Sequence, residues 1–393
     1  MSTIHNEELK TIGIFNDSFP PIMDGVSLTV QNYAYWLQKK NQDVCVITPK
    51  SPNYTDNEPY PVLRYTSIPI LGRKPYRFGL PKMDLSFKTE LDKISFGLVH
   101  AHSPFSAGNI ALNIAKEQQI PFVATFHSKY RDDFEHSVHN KRIAKLMTKE
   151  VIRFFEKADE VWIPQASVEE TIREYGFKGK LEVVDNGNDF ANDEPVEPIK
   201  KQARIDLKLN EKDTIFLFVG QHIWEKNTRL IVESLALIKD LPFKMFFIGI
   251  GYAADDLKRM VEELNISDKV EFVGMITERQ IIKKYYAAAD LFLFPSIYDN
   301  APLVIREAAA LQTPSVMVEG TSSAENISNN FNGFLTENTA ESFGAKLREL
   351  INSPEKIRIA GLNASQSLAR SWESVTEEVL DRYQKLMKRT WRR

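Results

Sequence analysis

The chain has 393 residues, too many for one hydrophobic core, so its length predicts two or three domains of about 100–200 residues each. An apolar content of 43% and a charged content of 26% are ordinary for a globular protein, and a net charge of −3 gives no reason to expect a nucleic acid partner. The single cysteine, Cys45, excludes internal disulfides and a cysteine-based zinc cluster, which fits a reducing cytosol.

The first ten residues lack the apolar segment of a signal peptide. No apolar run approaches the ~18 residues of a membrane-spanning helix. We therefore expect a cytoplasmic protein, and peripheral attachment to the inner face of a membrane remains open.

Short apolar strands alternate with helical patterns through the first half of the chain. Strands are predicted in the segments TIGIF, DVCVITP, VLRYTS, GLVHAH, PFVATFH, EVWIP and LEVVDN, and helices at 30–39, 109–118 and 167–175. Because this alternation is typical of βαβ units, the first half predicts a parallel sheet with helices on both faces.

A polar, proline-containing stretch at 193–213 predicts a linker with a short helix, and a second series of strands follows it. These strands are predicted in TIFLFVG, KMFFIG, VEFVG, LFLFP and PSVMV. The predicted fold class is therefore α/β, with two tandem doubly wound Rossmann-like domains. Ligands are expected at the carboxyl ends of the strands, in a cleft between the domains. The predicted domains are 1–192 and 193–370.

The segment 371–393 predicts one helix, because Trp372, Val375, Val379, Tyr383 and Leu386 recur every three to four residues. Its end, KLMKRTWRR, is basic and contains an aromatic residue. A solvated helix end and an anchor to anionic lipid headgroups both fit this composition.

The most informative stretch is LFLFPSIYDNAPLVIREAAAL at 291–311, which predicts a buried strand, a tight turn and a helix from about Leu303. Such a helix start favours anions, because its free N–H groups and its dipole both attract negative charge. Asp299 and Glu307 cannot bind phosphate, but carboxylates suit the hydroxyl groups of a sugar and a ribose. The stretch therefore predicts a nucleotide-sugar site. The alternative is a helix cap at Asp299 and a solvated acid at Glu307.

Ser296, Asp299, Glu307 and Ala308 are spaced as in the donor site of retaining glycosyltransferases of family GT4, and this stretch resembles that site. The resemblance implies the GT-B fold over nearly the whole chain, with the last helix packed back on the first domain. It implies that Asp299 contacts the sugar and Glu307 the ribose. Asp299 is one methylene shorter than the family's glutamate, and Pro302 replaces its usual glycine. Leu303 and Val304 would still donate their N–H groups to the diphosphate.

Two further motifs in the first half are similar to family motifs. The loop Asp24-Gly25-Val26 resembles the GT4 loop near the donor diphosphate, which places Gly25 on the donor side and Asp24 on the acceptor side. The segment His127-Ser-Lys-Tyr130-Arg131 resembles that of lipid-linked members. By this resemblance His127 lies beside the transferred sugar, and Tyr130 and Arg131 face the acceptor.

In the second half, Lys226 matches the lysine that neutralises the diphosphate in the family, whereas Gln221 stands where the family has arginine. Gln221 can donate hydrogen bonds but has no charge. Met275 and Ile276 follow a strand whose end contacts the nucleotide base in the family.

The resemblance implies a retaining, metal-independent hexosyltransferase without a cofactor, closest to the diacylglycerol glucosyltransferase branch. UDP-glucose is the favoured donor, and the acceptor is a lipid or a cell-surface glycan precursor. Basic regions at 71–88 and 141–153 indicate an anionic membrane partner as well as they indicate solvated surface. Because Gln221, Asp299 and Pro302 depart from the family, a catalytically weak paralogue acting as a partner subunit is the alternative. A pyridoxal phosphate-dependent phosphorylase is a third.

Overall fold

The computed structural model of the protein describes residues 10–70, 75–191 and 194–390. The chain divides into two units, one comprising Met1–Asn186 with Trp372–Arg393 and the other Gly187–Ser371. The predicted boundary at 192/193 falls on residues outside the described ones, as do the start of the 71–88 region and the last three residues of the basic C-terminal end.

The first unit is built on a sheet of seven parallel strands. Its strands and helices, in chain order, are β1 (Thr11–Phe15), α1 (Gly25–Lys39), β2 (Val44–Pro49), β3 (Val62–Tyr65), β4 (Ser67–Pro69), β5 (Arg77–Gly79), α2 (Leu85–Leu91), β6 (Phe96–Ala101), α3 (Ser106–Gln118), β7 (Phe122–Thr125), α4 (Tyr130–Val138), α5 (Lys141–Phe155), β8 (Glu160–Ile163), α6 (Val168–Glu174) and β9 (Leu181–Val183). The sheet order is β3-β2-β1-β6-β7-β8-β9, while β4 and β5 form a separate antiparallel hairpin. The strand order therefore reverses between β1 and β6, where doubly wound folds place their ligands.

Burial explains why the strands of this unit read as continuous apolar runs. Every residue of β2 and of β6 is buried, because helices cover both faces of a parallel sheet. The helix α1 begins where Asp24 caps it, with the Asp24 Oδ1 atom accepting the N–H of Ser27 at 2.7 Å. All seven predicted strands are confirmed, and the hairpin is an addition.

The second unit repeats this arrangement with a sheet of six parallel strands. Its elements, in chain order, are α7 (Val196–Asp206), β10 (Thr214–Val219), α8 (Thr228–Ala236), β11 (Phe243–Ile248), α9 (Ala254–Glu263), β12 (Val270–Gly274), α10 (Arg279–Ala288), β13 (Leu291–Leu293), α11 (Leu303–Ala310), β14 (Ser315–Val318), β15 (Gly333–Thr336), α12 (Ala340–Ile351) and α13 (Pro354–Leu368). The order β12-β11-β10-β13-β14-β15 reverses between β10 and β13. The sequence missed β15, a four-residue edge strand.

The last helix, α14 (Trp372–Thr390), belongs to the first unit and packs against α1. Its predicted stripe is confirmed, since Trp372, Val375, Val379, Tyr383 and Leu386 are all buried. The ring of Trp372 meets that of Tyr33 edge-on, with 5.7 Å between centroids. The chain thus returns to the first unit through an aromatic contact.

Candidate active site

The centre of the second unit's sheet brings two predicted residues together. Lys226 lies in a 3-10 turn, Trp224–Lys226, in the loop after β10, and Asp299 lies in the loop after β13. These strands are neighbours in the sheet, and the strand order reverses between them. Both loops leave the carboxyl ends of their strands, so the two side chains lie where doubly wound folds bind their ligands.

Lys226 and Asp299 form an ion pair at this point. The Lys226 Nζ atom lies 2.7 Å from both carboxylate oxygens of Asp299. The Ser296 hydroxyl donates to Asp299 Oδ2 at 2.6 Å, and the Lys226 ammonium lies 5.3 Å from the centre of the Phe294 ring. The side chains of Lys226 and Asp299 are 13% and 18% exposed. They are therefore mostly shielded from water, which strengthens their electrostatic interactions, but a ligand can still reach them.

The helix α11 begins directly after this loop. Pro302 precedes its first residue, and no side chain caps the helix there. The N–H groups of the first turn, including those of Leu303 and Val304, have no partner within a helix and are suited to an anion. Asn300, in the same turn, is buried, and neither polar atom of its side chain has a hydrogen-bond partner in the described residues.

Glu307 lies within α11 and is held by an arginine. Its side chain is 5% exposed, and its Oε1 accepts from Arg279 Nη2 at 2.6 Å. Arg279 also binds both oxygens of Asp189, at 2.6 and 2.8 Å, and its guanidinium lies 4.5 Å from the centre of the Phe190 ring. Burial opposes the charge on Arg279, but Glu307 and Asp189 together raise its pKa above the ordinary value. Arg279 thereby keeps a buried carboxylate in α11, the helix whose first turn forms the anion site.

The other predicted donor residues lie on loops at the same edge of this sheet. Gln221 follows β10 and is exposed, while Met275, which is 62% exposed, and Ile276 follow β12. Between these loops, Gly249 follows β11 with a φ of +133°, and a Cβ atom there would lie 2.0 Å from the Gly220 carbonyl oxygen. The close backbone approach thus depends on glycine.

In the first unit, Asp24 and Gly25 lie at the start of α1, where Gly25 is exposed. Burial raises the pKa of Asp24 against the lowering effect of its hydrogen bonds. Asp17, which sequence analysis did not select, follows β1 and sits at the start of α3. Its carboxylate accepts from the hydroxyl of Ser103 at 2.5 Å, from the hydroxyl of Ser106 and from the N–H of Ala107 at 3.1 Å. These bonds fix the loop between β6 and α3.

His127 follows β7, two residues beyond the strand, and contacts a second histidine that sequence analysis did not select. Its Nε2 lies 3.0 Å from Nδ1 of His102, and the two rings stack at 5.2 Å with 18° between their planes. Burial lowers the pKa of His127 to about 3 and that of His102 well below the ordinary value. Both rings are therefore neutral at pH 7.

Tyr130 and Arg131, predicted on the acceptor side, begin α4. Tyr130 is buried against the rings of Phe126 and Phe134, and burial raises the pKa of its hydroxyl. Arg131 donates to the Glu174 carboxylate at 2.5 Å and lies 4.5 Å from the centre of the Tyr175 ring. Both side chains are thus engaged within the first unit, and their contact with an acceptor stays a prediction.

Residues 10–70, 75–191 and 194–390 contain neither a candidate metal site nor a candidate membrane-spanning helix. No group of three or more His, Cys, Asp or Glu side chains in these ranges is arranged to hold a metal ion. No helix within them combines the length and the apolar composition needed to cross a membrane.

Most of the residues that sequence analysis missed act on a predicted residue from a distant part of the chain. Arg279 holds Glu307 and is itself held by Asp189, and His102 contacts His127. His102 directly follows an apolar strand and Asp17 lies two residues beyond one, so their position at a carboxyl end was a usable signal. No such signal marks Arg279, the first residue of a surface helix.

Comparison with known proteins gives matches over both units. Residues 23–192 match the family model described as Glycosyltransferase Family 4, and residues 199–367 match the one described as Glycosyl transferases group 1. The alpha-monoglucosyldiacylglycerol synthase of Streptococcus pneumoniae is 28% identical over 356 residues, which cover 88% of this chain and 79% of that protein.

Solved structures agree with the chain in fold. Sucrose-phosphate synthase from Thermosynechococcus elongatus matches with a TM-score of 0.81 at 20% identity, covering 96% of this chain and 99% of that one. Anabaena HepE, solved with UDP and glucose, matches with a TM-score of 0.77 at 17% identity, covering 96% of this chain and 100% of that one. The prediction of the GT-B fold is confirmed.

Proposed function

The chain belongs to the glycosyltransferases of family 4 and group 1, and from this premise we propose that it transfers glucose from UDP-glucose to a hydroxyl of a membrane lipid, with retention of the anomeric configuration. The observation that carries the proposal is the ion pair of Lys226 and Asp299 beside the start of α11. In this pair, Lys226 is a cation that can bind a diphosphate, and Asp299 is a carboxylate that can bind sugar hydroxyls. Both lie where the strand order of the sheet reverses. Anabaena HepE, of the same fold, was solved with UDP and glucose.

In the proposed reaction the bond between the anomeric carbon and the UDP oxygen breaks. The acceptor oxygen bonds to the same face of that carbon, and its proton passes to the departing phosphate oxygen. Lys226 and the first N–H groups of α11 would stabilise the negative charge that grows on the phosphate. Asp299 would accept hydrogen bonds from sugar hydroxyls, and Glu307 from ribose hydroxyls, so that the sugar is held in place for attack.

The outer face of α5 supports a lipid acceptor. Ile143 and Leu146 are 46% and 62% exposed there, although the opposite face of the helix is buried. The exposed face also carries Lys141, Arg142, Lys145, Lys149 and Arg153. Apolar side chains among cations are typical of a helix that lies on an anionic membrane. The S. pneumoniae relative is by name a synthase of a glucosylated diacylglycerol. We therefore propose that the protein acts at the inner face of a membrane.

The first experiment measures donor binding. UDP, GDP and ADP are added to the purified protein without metal, and its melting temperature is recorded. UDP at a hundredfold excess over Kd should stabilise it by about 2.7 kcal/mol. Glucose transfer to diacylglycerol in vesicles is then assayed, and NMR of the product should show the α-anomer. Selective stabilisation by GDP or ADP, a β-linked product or transfer only to a glycan would each contradict the corresponding part of the proposal.

Lys226→Met tests the carrying observation. Removing the ammonium that is paired with Asp299 should lower kcat about 10²–10³-fold, the usual effect of losing one charge-stabilising group. Lys356→Met is the matched control, because Lys356 is an exposed ion-paired lysine of the same unit. Equal activity of the two variants would remove Lys226 from the mechanism.

Membrane attachment is tested by flotation with vesicles containing an anionic phospholipid. The wild type should float with these vesicles and not with neutral ones. The double variant Ile143→Ser/Leu146→Ser should float poorly, whereas Ile205→Ser, which changes an equally exposed residue on α7, should behave as wild type. Flotation of the double variant at the wild-type level would exclude α5 as the attachment surface.

A further inference from the structure

Three histidine rings lie in a row at the carboxyl ends of β6 and β7. His100 is within β6, His102 directly follows it, and His127 follows the neighbouring strand β7. The centroids of the His100 and His102 rings are 4.1 Å apart, and those of His102 and His127 are 5.2 Å apart. Only the outer ring, His127, is partly exposed. His102 is buried between the others and is 1% exposed.

Among the hydrogen bonds of these rings to the described residues, none involves Nε2 of the middle ring, His102. His100 contacts the Tyr383 hydroxyl at 2.5 Å and the Thr125 hydroxyl at 2.7 Å, so both of its nitrogens are engaged. His102 shares one bond with His127, and its own Nε2 is buried without a partner in the described residues. Because both rings are neutral, a single proton lies between His102 Nδ1 and His127 Nε2.

Two arrangements of protons satisfy this bond, and they differ in cost. If His127 donates, His102 must carry its own proton on Nε2, which buries an N–H group that has no acceptor. If His102 donates from Nδ1, its Nε2 is a bare lone pair. Buried N–H groups without a partner are rarer in proteins than under-satisfied acceptors. The network therefore favours donation by His102.

We propose that His102 is a positioning residue that donates its Nδ1 proton to Nε2 of His127 and so fixes His127 as the tautomer protonated on Nδ1. This inference rests on the proposed function and on the GT4 resemblance, which implies that His127 lies beside the transferred sugar. The Nδ1 atom of His127 makes no hydrogen bond to any other described residue, so its proton is available to a ligand. His127 then donates a hydrogen bond to a sugar oxygen and cannot accept a proton there.

The fold holds this pair in place from several sides. The ring of Tyr33, on α1, meets the His102 ring edge-on at 5.4 Å, and Tyr33 itself packs against Trp372 of α14. Asp17 accepts the hydroxyl of Ser103, the residue after His102. His102 therefore has little freedom to turn, as a positioning residue requires.

The experiment records ¹⁵N spectra of the wild-type protein with labelled histidine rings, because the shift of each ring nitrogen tells whether it carries a proton. The His127 signals are those that disappear in His127→Gln. We expect a protonated Nδ1 and a bare Nε2 in the wild type. His102→Asn should keep this tautomer, since its amide nitrogen can replace Nδ1. His102→Phe, which keeps a ring but has no donor, should lose the preference and lower kcat about tenfold, with a smaller change in KM.

A proton on Nε2 of His127 in the wild type would overturn the inference, whatever the activity. This result needs no variant of His102, and His127→Gln serves only to assign the signals. An unchanged tautomer in His102→Phe would overturn it as well. Expected spectra from a protein that transfers sugar to no acceptor would support the tautomer and refute the proposed function. The two failures are thus distinguishable.

Discussion

Replacing Arg279 by methionine removes the cation that holds Glu307. The side chain of Glu307 is 5% exposed, and Arg279 Nη2 lies 2.6 Å from its Oε1. Methionine fills a similar volume without charge, so Glu307 would be left as a buried carboxylate without a counter-charge. Breaking a buried ion pair in this way costs about 3–5 kcal/mol.

For Arg279→Met we expect the lower end of the range of about 3–5 kcal/mol. Arg279 is 26% exposed, so water can reach Glu307 once the guanidinium is gone. A loss of about 3 kcal/mol lowers the melting temperature of a domain of this size by roughly 6–12 °C. Glu307→Gln should cost only about 1 kcal/mol, because Arg279 keeps both bonds to Asp189. The double variant Arg279→Met/Glu307→Gln should be more stable than Arg279→Met alone.

Differential scanning calorimetry of the full chain, with and without UDP, measures these changes. Arg348→Met is the matched control, because Arg348 also binds both oxygens of an aspartate, Asp240, but at an exposed position. It should cost less than about 1 kcal/mol. If Arg279→Met lowers the melting temperature no more than this control, Arg279 does not hold a buried charged Glu307, and the reasoning fails.

Three further outcomes are expected. Gly249→Ala should destabilise the protein by about 1–3 kcal/mol in thermal unfolding, because its Cβ would lie 2.0 Å from the Gly220 carbonyl oxygen; an unchanged melting temperature would contradict the close approach. Trp372→Ala should cost about 3–5 kcal/mol in the same assay, since the ring is 2% exposed, and a loss below 1 kcal/mol would show that α14 does not stabilise the first unit. Burial lowers the pKa of His222 to about 4 from 6.5. As pH falls from 6.5 to 4, His222 is therefore protonated in the unfolded chain but not yet in the folded protein. This difference should lower the free energy of unfolding by up to ~1.4 kcal/mol per pH unit. The free energy of unfolding of His222→Phe, measured with urea at several pH values, should change less steeply with pH, by about one proton. An equal dependence on pH in the two proteins would refute the lowered pKa of His222.

Local patterns carried most of the fold prediction. Fully buried parallel strands must be continuous apolar runs, so segments such as 44–49 and 214–219 were recognisable. The strands β4 and β5 are three residues long and mostly exposed or half-buried, and β15 is mostly buried but only four residues long, so none of them gives a comparable run. The apolar pattern that predicts an element arises from burial, so a short or exposed element shows too little of that pattern to be recognised.

The candidate site was predictable only where a residue follows a strand or begins a helix. Lys226, Asp299 and His127 lie after apolar strands, and motif spacing then selected them. Spacing also selected Glu307, but no pattern in the sequence indicated that Arg279 would hold it. Helix α10 brings Arg279 to Glu307 across 28 positions of the chain, and no local pattern encodes that distance.

By itself, the sequence determined the two α/β halves, the last helix with its apolar stripe and the residues that match family motifs, because periodicity and spacing are local properties. Only the tertiary structure decided which charged side chains form ion pairs and which nitrogen atoms of His102 and His127 share a hydrogen bond. Ion pairs and hydrogen bonds need atoms within about 3 Å, and strand order brings together residues that the sequence separates. Lys226 and Asp299, 73 positions apart, meet because β10 and β13 are neighbours in the sheet.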